Sequence, residues 1–350
     1  MIPGARVTGA SLDLDYPGFM DEKRGRTDSN APSPPEHHRK EEPNIIGMLS
    51  LAILNKGMLS FAILLLCTAP FIQGDDQIYG TGNGRSDDPT KFSADRAKLF
   101  ATFSNAAYCS AQSINAWDCA PCTRADPTFK VSKVINGPTA QTQVFIGSSN
   151  TTSDTGNIVI SFRGSETFVN WLHDLNFPKK DAYPKCDGCA VHEGFLSAWT
   201  EIQDQVIQEV TALLASMPNA LLFVTGHSLG AALAVLCATE LGASKHSLGK
   251  KVEGVYTFGQ PRVGNQAFHD FYGTGTRVSW RVTHNRDIVP HLPLEAMGFH
   301  HTSTEVFYNE NFSTVRICDG SGEDKKCSDQ FDVPSISDHL HYMNMSISDC

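Results

Sequence analysis

A serine sits between two glycines in Gly226-His227-Ser228-Leu229-Gly230, and its flanks set what it can do. The apolar run Leu221-Leu222-Phe223-Val224-Thr225 reads as a strand entering the pentapeptide, and Ala231-Ala232-Leu233-Ala234-Val235-Leu236 reads as a helix leaving it. Strand, sharp turn and helix in that order lift a serine hydroxyl clear of the sheet and aim the first helical N–H groups at any anion forming there. A side chain at Gly226 or Gly230 would collide with strand or helix. The chemistry is nucleophilic, so the serine needs a base and the base an orienting acid. On such an elbow the order along the chain is Ser, Asp, His. Asp287 is the best acid, because residues 281–290 read as a strand end followed by a loop, where sites form in parallel sheets. The same aspartate could also serve only its own turn. The base comes from among His291, His300, His301, His339 and His341. His339 and His341 are two apart and cannot both face Ser228 from one regular helix. Residue chemistry leaves that choice open.

The elements that must carry these groups follow from periodicity. A helix is predicted from Ser93, a good N-cap with Asp95 in the first turn, towards Tyr108. Strands are predicted at 129–135, 141–146, 158–162, 254–258 and 278–283. Phe195, Leu196, Trp199, Ile202, Val206, Val210 and Leu213 recur at helical spacing across 194–216. Strands alternating with helices imply an α/β protein, with a mostly parallel central sheet and helices on both faces. With the serine elbow this is the α/β-hydrolase fold.

With 350 residues, 41% of them apolar, the chain can bury a large single core. The net charge is −10 and no long basic run follows residue 60, which argues against nucleic acid as a partner. Residues 1–44 are polar and proline-rich, as in Ala31-Pro32-Ser33-Pro34-Pro35, and are expected to be disordered. Residues 45–74 read as a signal peptide, with Met58-Leu59-Ser60-Phe61-Ala62-Ile63-Leu64-Leu65-Leu66 as its apolar centre. A signal this far from residue 1 points to a start at Met48 or Met58, with 1–44 as an extension. The rival is a signal anchor. Lys56 and Pro70 cut the apolar run below the ~20 residues of a spanning helix, which favours cleavage near Gly74. Residues 75–92 read as a linker or propeptide, and 93–350 as the folded domain.

Of ten cysteines, Cys67 lies in the signal and Cys237 in the helix after Ser228. The other eight form an even set. Their two C-x-x-C pairs lack histidines at zinc spacing, so an exported chain reads as having four disulfides and no metal site. Sequons at Asn150, Asn311 and Asn344 are compatible with glycosylation on that route.

From about Ser93 onwards the chain resembles the secreted filamentous-fungal lipases, lipase class 3. The resemblance rests on Ser161-Phe162-Arg163-Gly164-Ser165, Asn170-Trp171-Leu172-His173-Asp174-Leu175-Asn176-Phe177, Val191-His192-Glu193-Gly194-Phe195, Thr225-Gly226-His227-Ser228-Leu229-Gly230, Phe258-Gly259-Gln260-Pro261-Arg262-Val263-Gly264-Asn265, Asp287-Ile288-Val289-Pro290-His291-Leu292-Pro293 and Asp338-His339-Leu340. It implies Ser228 as nucleophile, Asp287 as acid and His339 as base. It implies oxyanion donors at the Leu229 and Ser165 backbone N–H groups, an acyl pocket lined by Val289, Leu292 and Pro293, and a structural role for His227. It pairs Cys109 with Cys350, Cys119 with Cys122, Cys186 with Cys189 and Cys318 with Cys327. It also makes 166–178 a short helical lid, whose Phe168, Trp171, Leu172 and Leu175 form one apolar stripe at i, i+3, i+4 and i+7. The activity so implied is a secreted triacylglycerol lipase without a cofactor. It would act as a monomer on acylglycerols at a lipid–water interface, touching membranes only peripherally.

The rivals are a feruloyl esterase of the same fold, a phospholipase A1 or mono/diacylglycerol lipase, and a catalytically inactive lipid-binding protein. The apolar stripe favours a lipase over a feruloyl esterase. The intact Ser228, Asp287 and His339 set argues against an inactive carrier. His300-His301 alone is too little for a metal-dependent hydrolase.

Overall fold

The computed structural model describes residues 90–149, 156–165, 177–244, 248–249 and 251–350, together with the backbone of 78–80. The strands are β1 Ile78–Gly80, β2 Lys130–Asn136, β3 Gln143–Ser149, β4 Asn157–Phe162, β5 Lys179–Asp181, β6 Ala190–His192, β7 Leu221–His227, β8 Val252–Phe258, β9 Thr276–His284, β10 Glu305–Tyr308, β11 Thr314–Ile317, β12 His341–Tyr342 and β13 Met345–Ser346. Among the described residues the α-helices are α1 Ala94–Ala106, α2 Ala111–Ala116, α3 Ala120–Ala125, α4 Glu193–Thr200, α5 Gln203–Ser216, α6 Leu229–Gly242, α7 Gln266–Gly275 and α8 Ile336–His339.

Nine strands form one sheet in the order β1-β11-β10-β9-β8-β7-β4-β3-β2. Its centre, β4, β7, β8, β9 and β10, is parallel. Antiparallel strands flank both edges. The fold is the α/β-hydrolase architecture. Alternate residues feed opposite faces, as strand geometry dictates. Ile158, Ile160 and Phe162 join one core with α4–α7, while Val159 joins the other beneath α1. Ser161, facing α1, donates its hydroxyl to Phe103 O at 2.9 Å.

Ser93 caps α1 as its type predicts, accepting from Arg96 N at 3.4 Å. The helical run across 194–216 is two helices, not one. The chain turns at Glu201-Ile202, where the Glu201 carboxylate accepts the backbone N–H groups of Thr139 and Ala140, each at 3.1 Å. Strand β10 carries a polar first residue, Glu305, yet it is buried throughout, because Arg281 on neighbouring β9 donates to that carboxylate at 3.0 Å. Among the described residues no helix is long and apolar enough to cross a membrane.

Four disulfides join Cys109 to Cys350, Cys119 to Cys122, Cys186 to Cys189 and Cys318 to Cys327, while Cys237 is a buried thiol. The first closes a separation of 241 residues. Loop closure over that length is worth about 5 kcal/mol in the chain-entropy model. Replacing Cys109 and Cys350 by serine is therefore expected to lower the urea midpoint steeply, with folding at 37 °C impaired. Loss of either two-residue-spaced bridge should cost less. A midpoint unchanged by the double replacement would show that the bridge contributes nothing.

Candidate active site

The carboxyl ends of the parallel strands meet at one place. β7 ends at His227, and Ser228 follows with φ 60 and ψ −128, the sharp conformation the elbow requires. A Cβ on Gly226 would overlap the Gly230 carbonyl, and one on Gly230 would overlap Phe162 O at the end of β4. Both positions therefore need glycine because backbone passes backbone without room for a methyl group. Ser228 is 1% exposed, and its Oγ has no hydrogen-bond partner among the described residues. Contacts to a catalytic serine commonly tighten only with substrate bound. α6 begins at Leu229 and directs its N-terminal N–H groups at the space above Ser228.

Asp287 follows β9. Its Oδ1 accepts from Val289 N at 2.9 Å, the turn contact, and both carboxylate oxygens accept from His339 Nδ1, at 3.0 and 2.9 Å. The turn role and the orienting role coexist in one side chain. Burial alone would raise its pKa; the His339, Tyr342 and Val289 donors outweigh that and hold the carboxyl below its ordinary value. A carboxylate can only accept, so His339 carries its proton on Nδ1 and presents a basic Nε2.

The other histidines point elsewhere. His341 is exposed, with Nδ1 against Ser337 O at 3.1 Å. His291 Nδ1 lies 3.4 Å from Asp329 Oδ1, His300 donates to Ser321 O at 2.8 Å, and buried His301 donates to Pro290 O at 2.7 Å. What delivers His339 rather than His341 is the contact of α8 and its cap Ser335 with the turn after β9. Asp338 Oδ2 accepts from Asn285 Nδ2 at 2.8 Å and Arg286 N at 3.1 Å, and Ser335 N donates to Arg286 O at 2.6 Å.

Two residues essential to this geometry escaped the sequence reading. Tyr342 donates its hydroxyl to Asp287 Oδ2 at 2.5 Å. Gly259, at φ +55, lies where a Cβ would stand 2.8 Å from Asp287 Oδ2 and from His339 Nδ1, so the floor beneath the pair admits no side chain. His227, assigned a structural role, stacks on His339 with ring centroids 4.5 Å apart.

Ser165 comes two residues after Arg163, whose N–H donates to Gln143 O at 2.8 Å. Gly164 packs on the elbow, since a Cβ there would lie 3.1 Å from Ser228 Cβ. Val289 and Leu292 are buried in a small apolar cluster with Ile288, against which Phe177 and Leu294 pack; Pro293 is buried beside it. Phe168, Trp171, Leu172, Leu175 and Asn150 lie outside the described residues. Asn311 and Asn344 are exposed, Asn344 in the turn joining β12 and β13.

The segment 289–293 is pinned from behind. Arg262 N donates to Leu292 O at 2.7 Å and Arg262 Nη1 to Pro293 O at 3.1 Å. The same guanidinium makes a two-pronged contact with Glu323, at 2.8 and 2.6 Å, and lies 3.7 Å from Asp329. Of the described carboxylate clusters, Glu295, Glu323 and Asp329 come close enough to hold a cation, and Arg262 and Lys325 already supply the positive charge. Burial would raise the carboxyl pKa values of Glu323 and Asp329; Arg262 at the first, and His291 with Lys325 at the second, hold both below the ordinary range. Folded values below unfolded ones mean stabilisation that is complete above the unfolded pKa and is lost as pH falls through the folded pKa. The urea midpoint is thus expected to hold near neutrality and to fall below about pH 4. Glu323→Gln should flatten that acid limb.

Comparison with known proteins agrees with this geometry. Residues 159–297 match the family profile Lipase (class 3). The chain is 36% identical over 256 residues to a lipase of Rhizomucor miehei, covering 72% of this chain and 69% of that protein. It is 36% identical over 202 residues to secreted mono- and diacylglycerol lipase 1 of Fusarium solani, covering 55% and 58%. The solved structure of Rhizomucor miehei triacylglyceride lipase superposes with a TM-score of 0.68 at 32% identity, covering 78% of this chain and 99% of that one. With an α/β-hydrolase sheet, a serine elbow and this likeness to lipases, the chain is a carboxylic ester hydrolase. The chain belongs to the class 3 lipase family.

Proposed function

We propose that this protein is an exported lipase that hydrolyses acylglycerols, triacylglycerol foremost, through Ser228, His339 and Asp287. The observation that carries the reading is the Asp287–His339 pair, closed at 2.9 Å, beside a serine on a strained elbow. His339 Nε2 takes the Ser228 proton as Oγ attacks the ester carbonyl carbon, and Asp287 stabilises the imidazolium. The oxyanion is received by the Leu229 and Ser165 N–H groups; in comparable sites each such donor is worth ~2.7–4 kcal/mol. His339 then protonates the leaving alcohol, and water enters by the same route to free the acid. The apolar cluster of Ile288, Val289 and Leu292 suits an acyl chain. The relatives named as secreted support export. The apolar stripe of 166–178 supports contact with a lipid–water interface.

Relatives named mono- and diacylglycerol lipases favour partial glycerides as a second reading. The test is initial rate on emulsified long-chain triacylglycerol, on diacylglycerol and on methyl ferulate. Fatty acid released fastest from triacylglycerol supports the proposal. Release from diacylglycerol alone supports the second reading, and ferulate release with little fatty acid overturns both.

A further inference from the structure

We infer that Tyr108 is a positioning residue that joins the oxyanion loop to the catalytic base through His227. The inference rests on the roles proposed above for Ser228, Ser165 and His339. Three groups at different places in the sequence meet here. Tyr108 follows α1, Gly164 precedes Ser165, and His227 precedes Ser228.

Every proton in this chain of contacts has one possible place. His227 Nε2 lies 2.8 Å from the backbone O of His339, and a carbonyl only accepts, so Nε2 bears hydrogen. Complete burial, and the neighbouring His339, hold the His227 pKa well below its ordinary value, against smaller opposing effects of the His339 carbonyl and Asp287. The ring is therefore neutral and Nδ1 is a bare acceptor. Tyr108 Oη, 2.7 Å away, must donate to it. The phenol keeps that proton because burial raises its pKa, and its oxygen is left to accept the Gly164 N–H. The path is Gly164 N–H to Tyr108 Oη, Tyr108 O–H to His227 Nδ1, and His227 Nε2–H to His339 O.

Tyr108 is held on both sides for this work. Gln143 Nε2 donates to Ala107 O at 2.9 Å and Cys109 O at 2.8 Å, while the Gln143 carbonyl accepts from Arg163 N. Cys109 itself is bridged to Cys350. Nor is there slack at the other end, since a Cβ on Gly164 would overlap Tyr108 Oη. An ordinary core tyrosine needs one partner for its hydroxyl. This one touches both the segment carrying an oxyanion donor and the residue stacked on the base. A displacement of about 1 Å at a reacting group can cost ~10²-fold in rate.

The variant is Tyr108→Phe, with active sites counted by a serine-directed phosphonate and kcat and KM measured per counted site. The expected result is a kcat about 10²-fold lower with KM nearly unchanged. An unchanged kcat per counted site, even with fewer sites or lower stability, would overturn the inference and leave Tyr108 as packing. Failure of the unsubstituted protein to react with the phosphonate would instead overturn the proposed function. Nitrogen-15 spectra of the unsubstituted protein supply a second reading that survives poor folding of the variant. They should show His227 protonated at Nε2 alone through the pH range of activity. A doubly protonated or Nδ1-protonated His227 would break the path.

Discussion

Ser228→Ala is expected to lower kcat for ester hydrolysis by about 10⁶ while leaving the fold intact, the full loss seen when a triad nucleophile is removed. The fold should survive for a structural reason. Ser228 Oγ makes no hydrogen bond among the described residues, so its deletion orphans no buried partner. The positive φ at this position strains serine and alanine alike. Urea midpoints of the two proteins should coincide, and phosphonate labelling should vanish. The residual rate would come from the Leu229 and Ser165 donors and from substrate binding. A Ser228→Ala protein keeping more than a thousandth of its kcat would show that another group attacks the ester.

The elbow was legible because its requirements are local. Strand, turn and helix follow one another within a few residues, and the steric need for Gly226 and Gly230 is set by backbone passing backbone. The parallel strands were legible as apolar runs for the same reason. Strand β10 was not, because Glu305 reads as a surface residue until Arg281, 24 positions earlier, is placed beside it. The break at Glu201 was hidden likewise, since the turn it caps lies about sixty residues upstream.

The candidate site divides along the same line. Asp287 showed itself through a strand end. The choice of His339 over His341 lay in contacts between Asp338 and the Asn285-Arg286 turn, which spacing cannot express; the family resemblance made that choice instead. Tyr108 and Tyr342 carry no local signal, because an aromatic at an element's end reads as core. Their part in the site is seen only when the oxygen of each is found against an ionisable group from a distant segment.

Asp287→Asn is expected to lower kcat by about 10⁴ with little change in KM. Three donors converge on this buried carboxylate: His339 Nδ1–H, Tyr342 O–H and Val289 N–H. An amide offers one oxygen and must turn its NH₂ towards one of them. With the oxygen kept at the Oδ1 place, on Val289 N–H, the NH₂ takes the Oδ2 place, where it faces His339 and the Tyr342 hydroxyl, whose oxygen can accept. That histidine then accepts at Nδ1 and carries its proton on Nε2, where it can no longer receive one from Ser228. The alternative, two donors facing each other in a site without solvent, carries the penalty of unsatisfied buried groups, about 1–3 kcal/mol. Tyr342→Phe removes one donor yet leaves the His339 tautomer intact, so its loss of kcat should be far smaller than that of Asp287→Asn. The comparison separates orientation of the base from simple crowding around it. Equal losses in the two variants would mean that packing beneath His339, not the tautomer imposed by Asp287, limits the reaction.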